Sequence, residues 1–265
     1  SRTEKNILEG LDFLKRDKGR FLLGEILPRV KDIQKRLESL KEVGMVSSAG
    51  SVRRMKETIG DIDFLVVSKN PKKVMDFFVS LPFVVKVWGK GTTKASVRTK
   101  EGFDVDVRVV PSRSYGSALQ YFTGSKDHNI VTRKIAIDLG LKLSEYGVFR
   151  GKKQIAGNTE EEVYGAIGLP WIPPEIRENE GEIEAGLNGK LPELIKIEDI
   201  KGDLHCHSNW DGGEHSIEEM ARAAMEMGYE YIGISDHTKF LRIENGLNEQ
   251  QLLKQHEEIA KINKK

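Results

Sequence analysis

Gly50-Ser-Val-Arg-Arg-Met-Lys-Glu-Thr-Ile-Gly-Asp-Ile-Asp63 decides how this chain is read. A Gly-Ser turn opens a helix start, and Asp61-Ile-Asp63 follows at the head of an apolar strand that runs to Val67. Side chains alternate along a strand, so Asp61 and Asp63 share one face while Ile62 points to the core. Phe64 to Val67 then bury both faces. A second strand, Phe103 to Val110, sets Asp104, Asp106 and Arg108 on one face and Val105, Val107 and Val109 on the other. If the strands are neighbours, up to four carboxylates crowd one edge, and like charges that close stay ionised only when a cation neutralises them. Oxygen-only ligands suit hard cations such as Mg²⁺ or Mn²⁺. Gly50 lets backbone approach a phosphate, Ser51 can cap the turn or donate to a phosphate oxygen, and Arg53 or Arg54 can reach a triphosphate. A lone Asp-x-Asp is usually an acidic strand edge, and a lone Gly-Ser an ordinary cap. The coincidence of turn, basic pair and third aspartate favours a site for two divalent metals and a nucleoside triphosphate, and hence nucleotidyl transfer.

The 265-residue chain has room for more than one compact unit, and 31% charged against 38% hydrophobic residues fits a soluble globular protein. No apolar run approaches membrane-spanning length, and nothing reads as a signal peptide. The single cysteine, Cys206, excludes an internal disulfide framework and fits a reducing cytoplasm. The chain opens Ser1-Arg2 without methionine, which reads as a processed, truncated or engineered start. The net charge of +1 hides an asymmetry. Residues 1–153 carry 31 Lys+Arg against 18 Asp+Glu, a net of +13, and residues 154–265 carry 11 against 23, a net of −12. The first half suits phosphate backbones and the second repels them unless metals bind there.

Residues 4–43 show helical periodicity, at Ile7, Leu8, Leu11, Phe13 and Leu14 and again from Phe21 to Leu40, with Pro28 expected in the first turn of the second helix. Val46 to Ala49 reads as a strand into the Gly-Ser turn, and Pro71 to Val79 as an amphipathic helix. Phe83–Trp88, Lys94–Thr99 and Phe103–Val110 read as antiparallel strands. Thr159-Glu-Glu-Glu162 is a capping-box start with acids in the first turn. Residues 175–200, rich in Glu and Gly, read as a tether. There is no internal repeat.

Together these residues resemble the family X DNA polymerases, the DNA polymerase beta family. Tyr121-Phe-Thr-Gly-Ser125 matches that family's thumb motif, Asn129 and Arg133 fall at its offsets, and Glu145-Tyr146 follows where it carries a Glu-Tyr pair. The resemblance covers the chain from its first helices to Pro174. It implies that Asp61, Asp63 and Asp106 bind two Mg²⁺ or Mn²⁺ ions and that Gly50, Ser51 and Arg54 hold the triphosphate. It implies that Tyr121, Phe122 and Gly124 line the sugar pocket, that Asn129 meets the base, and that Arg133 and Lys94 meet DNA. Lys126 stands where vertebrate members carry an acid. Read without the resemblance, an aromatic pair before Thr-Gly-Ser is core plus turn.

From Gly202 the chemistry changes. Asp203-Leu-His-Cys-His-Ser208 ends a short strand with two imidazoles on one side, able to reach one metal. Ser216 to Met227 forms a helix with an Ile217/Met220/Ala224/Met227 stripe, and Tyr231 to Asp236 a buried strand that delivers His237. Strand, helix, strand, helix implies a parallel βαβ unit with ligands at the strands' carboxyl ends. The segment resembles the start of a polymerase and histidinol phosphatase (PHP) domain, with His205, His207 and His237 as its first ligands for Zn²⁺ or Mn²⁺. The family's Ser-Asp-Gly is here Asp211-Gly-Gly213, so the acid is displaced by one position. Cys206 reads as packing, and His128, His215 and His256 as surface or capping histidines. Later PHP ligands and a lyase domain are absent from the sequence, so weak phosphoesterase and no lyase activity are expected.

The expected fold is an α+β nucleotidyltransferase palm with helical fingers and an α+β thumb, followed by a partial βα barrel segment. The boundaries are 1–45 fingers, 46–113 palm, 114–174 thumb, 175–200 linker and 201–265 PHP segment. The expected function is that of a monomeric, cytoplasmic DNA-directed DNA polymerase filling short gaps, with gapped or primer-template DNA and dNTP as partners and no membrane. Three alternatives stay open: a non-templated nucleotidyltransferase, a phosphoesterase or 3′-5′ exonuclease using the histidine cluster, and an idle DNA-binding scaffold. Template dependence separates the first from the expected polymerase, and metal-dependent pyrophosphate release excludes the last.

Overall fold

The computed structural model describes residues 19–239 and 246–264. The periodic positions Ile7 to Leu14 lie outside them. The chain divides after Leu191 into two compact units.

The first unit is built on a five-stranded sheet, in the order β2-β4-β7-β6-β5. Its strands are β2 (Val43–Ser48), β4 (Asp61–Ser68), β5 (Val84–Lys90), β6 (Lys94–Thr99) and β7 (Asp104–Val110). The short β1 (Phe21–Leu22) and β3 (Thr58–Ile59) pair separately and antiparallel. All neighbours in the main sheet run antiparallel except β4 and β7, which are parallel. Two helices cover one face: α1 (Leu23–Glu38), through Ile26, Val30, Ile33 and Leu37, and α3 (Pro71–Val79), through Val74, Met75 and Phe78. They bury Ile62, Phe64, Val66, Val97, Val105 and Val107, the inward set that strand alternation selects. Phe78→Ala would cost about 3–5 kcal/mol in this core.

Helix α3 has the predicted bounds, with Asn70 accepting from the Lys73 amide as its cap and Pro71 at its first position. Pro28 differs from expectation: α1 begins at Leu23, so the proline lies inside the helix rather than in its first turn. Its missing N–H would have bonded to the Gly24 carbonyl, so one ladder bond near the helix start is lost.

On the sheet's other face, Leu65 packs against Tyr115, Ala118 and Leu119 of α4 (Tyr115–Thr123). This helix opens a second subdomain. Helix α5 (Lys126–Asp138), a meander of β8 (Lys142–Ser144), β9 (Gly147–Arg150) and β10 (Lys153–Ala156), and α6 (Glu160–Ala166) follow. Its core joins Ala136, Leu143, Val148, Val163, Tyr164 and Ile172 with Ile183. That last contact corrects the first part of the expected tether at 175–200. Residues 174–191 contain a 3₁₀ turn, Pro174–Ile176, and a helix, α7 (Glu182–Leu187), whose Ile183 and neighbouring Ile176 and Leu191 pack into this core. The high Glu and Gly content hid a packed strap.

The second unit pairs β11 (Gly202–Cys206) in parallel with β12 (Tyr231–Ile234), with α8 (Ile217–Glu226) between them in sequence and α9 (Glu249–Ile262) after them. This is the expected βα pattern. Helix α8 starts at a full capping box from Ser216 and Glu219. The strand expected over Tyr231–Asp236 is shorter and only half-buried, with Tyr231 exposed, because a two-stranded sheet leaves its faces open. Of the predicted helix stripe, Ile217 and Ala224 are buried and Met227 is exposed.

Candidate active site

The parallel pairing of β4 and β7 sets the register of the acids. Asp61 stands opposite Asp104, and Asp63 opposite Asp106. All four lie on the face away from α1 and α3, at the end of the sheet that α4 leaves open. Asp104 is taken out of the group by its neighbours. Arg98 ion-pairs with it at 3.0 Å and the Trp88 indole N–H donates to it at 2.7 Å. Asp61, Asp63 and Asp106 remain, the three acids the sequence picked out. Their ligand atoms do not converge on one point: among the described residues, the group whose ligand atoms all lie within 4.8 Å of one another is His207, Asp211 and His237.

A cavity of about 160 Å³ lies over Asp63 and Asp106, walled by Ala49, Phe64, Leu65, Lys94, Arg108 and Phe122. Burial, followed by repulsion from Asp61 and then Asp106, pushes the Asp63 carboxyl up to about 7. Lys94 Nζ sits 2.8 Å from Asp106 and supplies the nearest positive charge. Lys94, expected at DNA, is thus placed against one of the three acids. The Arg108 guanidinium lies 4.7 Å over the Phe122 ring.

The Gly-Ser turn lies against Asp63. The Ala49 amide donates to the Asp63 carbonyl at 2.8 Å, which locks the turn to the strand. Gly50 has φ 57°, and a Cβ there would come 2.7 Å from Asp63 Oδ2. Only glycine meets both constraints, so the turn and the carboxylate are one construction. The following helix, α2 (Gly50–Arg53), is a single turn.

The basic pair after the turn faces the second subdomain. Arg53 makes a two-pronged pair with Glu160 at 2.7 and 2.8 Å and donates to Thr123 Oγ1. Arg54, expected on the triphosphate, donates to Glu178 at 2.8 Å and to the Thr123 carbonyl. Gly124 follows with φ 73°, and a Cβ there would come 3.1 Å from the Arg54 guanidinium. Beside Arg54 a second cleft, about 400 Å³, is lined by Arg20, Lys56 and Thr58. Arg20 is held there by two hydrogen bonds to Thr58 and passes close to Gly60, one residue before Asp61. Nothing in the sequence marks Arg20, because only the pairing of β1 with β3 brings it to this cleft.

Glu160 was also missed. The sequence marked it as a first-turn acid of α6, beside the helix dipole. It is instead buried, bound by Arg53, by fully buried Arg177 at 2.6 and 3.1 Å, and by the Trp171 indole at 2.9 Å. Burial alone would push its pKa up, but the Arg53 and Arg177 hydrogen bonds outweigh it and hold the carboxyl at about 2. The expected capping box is half made: the Thr159 hydroxyl accepts from the Glu162 amide, while the Glu162 carboxylate accepts from the amides of Gly157 and Asn158.

The aromatic pair Tyr121 and Phe122 stack edge to face, 5.1 Å between centroids, and Phe122 reaches the acid cavity. The Asn129 side chain is used internally, donating to the Tyr121 carbonyl at 2.7 Å and accepting from Gln120 at 2.7 Å. Arg133 donates back to the Asn129 carbonyl, with its guanidinium 5.7 Å from the Tyr121 ring.

In the second unit, Asp211 accepts from His207 Nδ1 at 3.0 Å, and from His237 through both its amide and Nδ1 at 2.8 Å. The trio is therefore His207, Asp211 and His237, not the expected His205, His207 and His237. The turn after β11 carries Asp211 back under the two rings, while His205 stays exposed. Burial would raise the Asp211 pKa, but its histidine partners hold it at about 2. Asp236 fixes the same turn through Ser208, accepting from its amide and hydroxyl.

Residues 118–178 match the DNA polymerase beta thumb family. Among curated proteins, the DNA polymerase/3′-5′ exonuclease PolX of Bacillus subtilis (strain 168) is 38% identical over 266 residues, covering 99% of this chain and 46% of the relative. DNA polymerase lambda of Rattus norvegicus is 28% identical across 49% of this chain and 28% of its own length. Repair DNA polymerase X of African swine fever virus is 24% identical across 50% of this chain and 80% of the viral protein. The chain thus spans less than half the length of the Bacillus relative. Among solved structures, Leishmania infantum polymerase beta, a ternary P/T complex, aligns with a TM-score of 0.55 at 21% identity, over 64% of this chain and 80% of that one. The chain carries a polymerase beta-like fold. No helix among the described residues is long and apolar enough to cross a membrane.

Proposed function

We propose that this chain is a DNA-directed DNA polymerase of family X type, adding dNTPs to a primer 3′ end in short gaps, as a cytoplasmic monomer. The observation that carries the reading is the Asp63–Asp106 pair beneath Gly50, with Phe122 of the thumb motif closing the same cavity. The names of the Bacillus, rat and viral relatives support it.

The donor set fits hard divalent cations. Asp61, Asp63 and Asp106 offer only oxygen, and the repulsion that raises Asp63 is what a cation would relieve. Bound Mg²⁺ or Mn²⁺ would neutralise charge developing on the transferred phosphate and leaving pyrophosphate. The protein's own residues do the placing. Asp106 would orient the primer 3′-hydroxyl. Gly50 and Ser51 would receive the phosphates, with the cleft of Arg20, Arg54 and Lys56 beside them for the polyphosphate tail. Tyr121, Phe122 and Gly124 would seat the sugar, with Asn129 and Arg133 behind them. Arg133, Lys94 and the net +13 of residues 1–153 would hold the DNA backbone.

The deciding experiment is single-nucleotide addition on gapped DNA, tested against each template base with Mg²⁺ and with Mn²⁺. Incorporation of the complementary nucleotide supports the reading. Addition indifferent to template would replace it with a non-templated transferase, and no addition with either metal would end it.

A second reading attaches to the other unit, which fits the start of a PHP-type phosphoesterase site, because His207, Asp211 and His237 present three ligand atoms within 4.8 Å. Nitrogen and oxygen donors suit Zn²⁺ or Mn²⁺. Stoichiometric Zn²⁺ or Mn²⁺ uptake that His237→Ala removes would support it; equal uptake by wild type and variant would not.

A further inference from the structure

We infer that His128 is a positioning residue for the nucleotide-facing end of the thumb, anchored from behind by Glu182 of the strap that follows the thumb match. Its kinetic consequence rests on the polymerase reading; its structural consequence does not.

His128 is fully buried in the first turn of α5, the turn that Ser125 caps by accepting from the His128 amide. Its ring is held at both ends. Nδ1 lies 2.6 Å from Glu182 Oε1, and Nε2 lies 2.8 Å from the hydroxyl of Tyr164, which is itself fully buried. Glu182 belongs to α7 and Tyr164 to α6, so one side chain ties α5 to two other elements. The Glu182 carboxylate is otherwise satisfied by the amides of Asn179 and Glu180. As an ionised acceptor, it assigns the proton to His128 Nδ1. Nε2 then accepts from the Tyr164 hydroxyl, and every member of the chain is paired. The charged neighbour is Arg177, whose guanidinium lies 5.1 Å from the Tyr164 ring and pairs with Glu160.

Asn129 follows His128 directly, about 100° around the helix. Its amide grips the Tyr121 carbonyl, and Tyr121 precedes the Phe122 that walls the acid cavity. Rotating the first turn of α5 would break the Asn129 grip and move Phe122. The two-ended clamp on His128 fixes that rotation. Residues 179–187, beyond the matched thumb at 118–178, therefore act on the nucleotide site without touching it.

The test uses the whole chain carrying His128→Phe, His128→Asn, Glu182→Gln or Tyr164→Phe. Phenylalanine fills the space and breaks both hydrogen bonds. Asparagine keeps a donor at the Nδ1 position, so it should rescue. For His128→Phe, KM for dNTP should rise about tenfold with kcat within about twofold, the size of one lost hydrogen bond to a charged group. For His128→Asn the rise should stay below about threefold. Glu182→Gln and Tyr164→Phe should fall between, and they carry the test should His128→Phe not fold. Amide exchange over residues 120–131 should quicken in step with KM. Unchanged KM and unchanged exchange in folded variants would overturn the inference. Quickened exchange in the variants, alongside a wild type that adds no nucleotide, would leave the positioning role standing and remove the polymerase reading instead.

Discussion

Asp63 and Glu160 are carboxylates of the same unit, the first half-buried and the second buried, and their neighbours drive them in opposite directions. Asp63 sits under Gly50 between Asp61 and Asp106, and its carboxyl is pushed up to about 7. Glu160 sits between Arg53 and Arg177, and its carboxyl is held at about 2. Charge that the fold compensates is structural: Glu160 clamps the turn after Gly50 to the second subdomain. Charge that the fold leaves in deficit of cations is a place where something positive belongs. Breaking each cluster should therefore give opposite phenotypes.

The largest effect is expected at the uncompensated cluster. Asp63→Ala should lower metal-dependent nucleotide addition by on the order of 10⁴-fold in a primer-extension assay, with the protein still folded. Retention of addition within tenfold would remove Asp63 from the chemistry.

At the compensated cluster the loss should be one of stability. Glu160→Ala strands Arg177, which is fully buried, and should cost about 3–5 kcal/mol in urea unfolding. The pH dependence follows from the depressed pKa. Between about 4.5 and 2 the unfolded chain takes up a proton that the folded chain refuses, so wild-type stability falls as pH drops through that window. Glu160→Gln should lack this component of the acid limb. A variant as acid-sensitive as wild type would mean that other carboxylates carry it.

Asp63→Asn should do the reverse. Between pH 4 and about 7 the folded protein holds a proton at Asp63 that the unfolded chain releases, so this carboxylate destabilises the metal-free protein progressively up to neutral pH. Replacing it with a neutral amide should stabilise the metal-free protein by on the order of 2 kcal/mol at pH 8 and by little at pH 4. Equal melting temperatures at both pH values would erase the contrast between the two clusters.

What could be read from sequence follows how local the cause is. The shared face of Asp61, Asp63 and Asp106 was legible because strand alternation is a two-residue rule, and helix α3 because its proline and cap are adjacent. Glu160 was read as a dipole acid because Arg53 lies 107 residues away. His128 was read as a surface or capping histidine because nothing near it in sequence announces Glu182, 54 residues on. The one-residue displacement of Asp211 from the family's pattern is absorbed by the turn after β11. The thumb motif was legible as a string, yet its Asn129 amide turned out to be spent on Tyr121. For Glu160 and His128 the deciding partner is distant in sequence; for Asp211 and Asn129 it is close by, but reached only through the local turn of the chain.

Lys94 tests the boundary between the two clusters. It is half exposed, and its pair with Asp106 is, with Arg108, the partial compensation of the acid site. An exposed pair is worth well under 1 kcal/mol, so Lys94→Ala should leave stability nearly unchanged. It should nevertheless alter binding, because the lysine occupies the place of a cation. Mg²⁺ or Mn²⁺ titrated into the variant without DNA should bind about two- to threefold more tightly than to wild type, since no ammonium must be displaced from Asp106. With DNA present the same substitution should flatten the salt dependence of binding by about one phosphate contact, if the displaced lysine then reaches the backbone. Weaker metal binding in Lys94→Ala would show the lysine to be part of the site's framework, and Asp106 would then belong with Glu160 among the compensated charges.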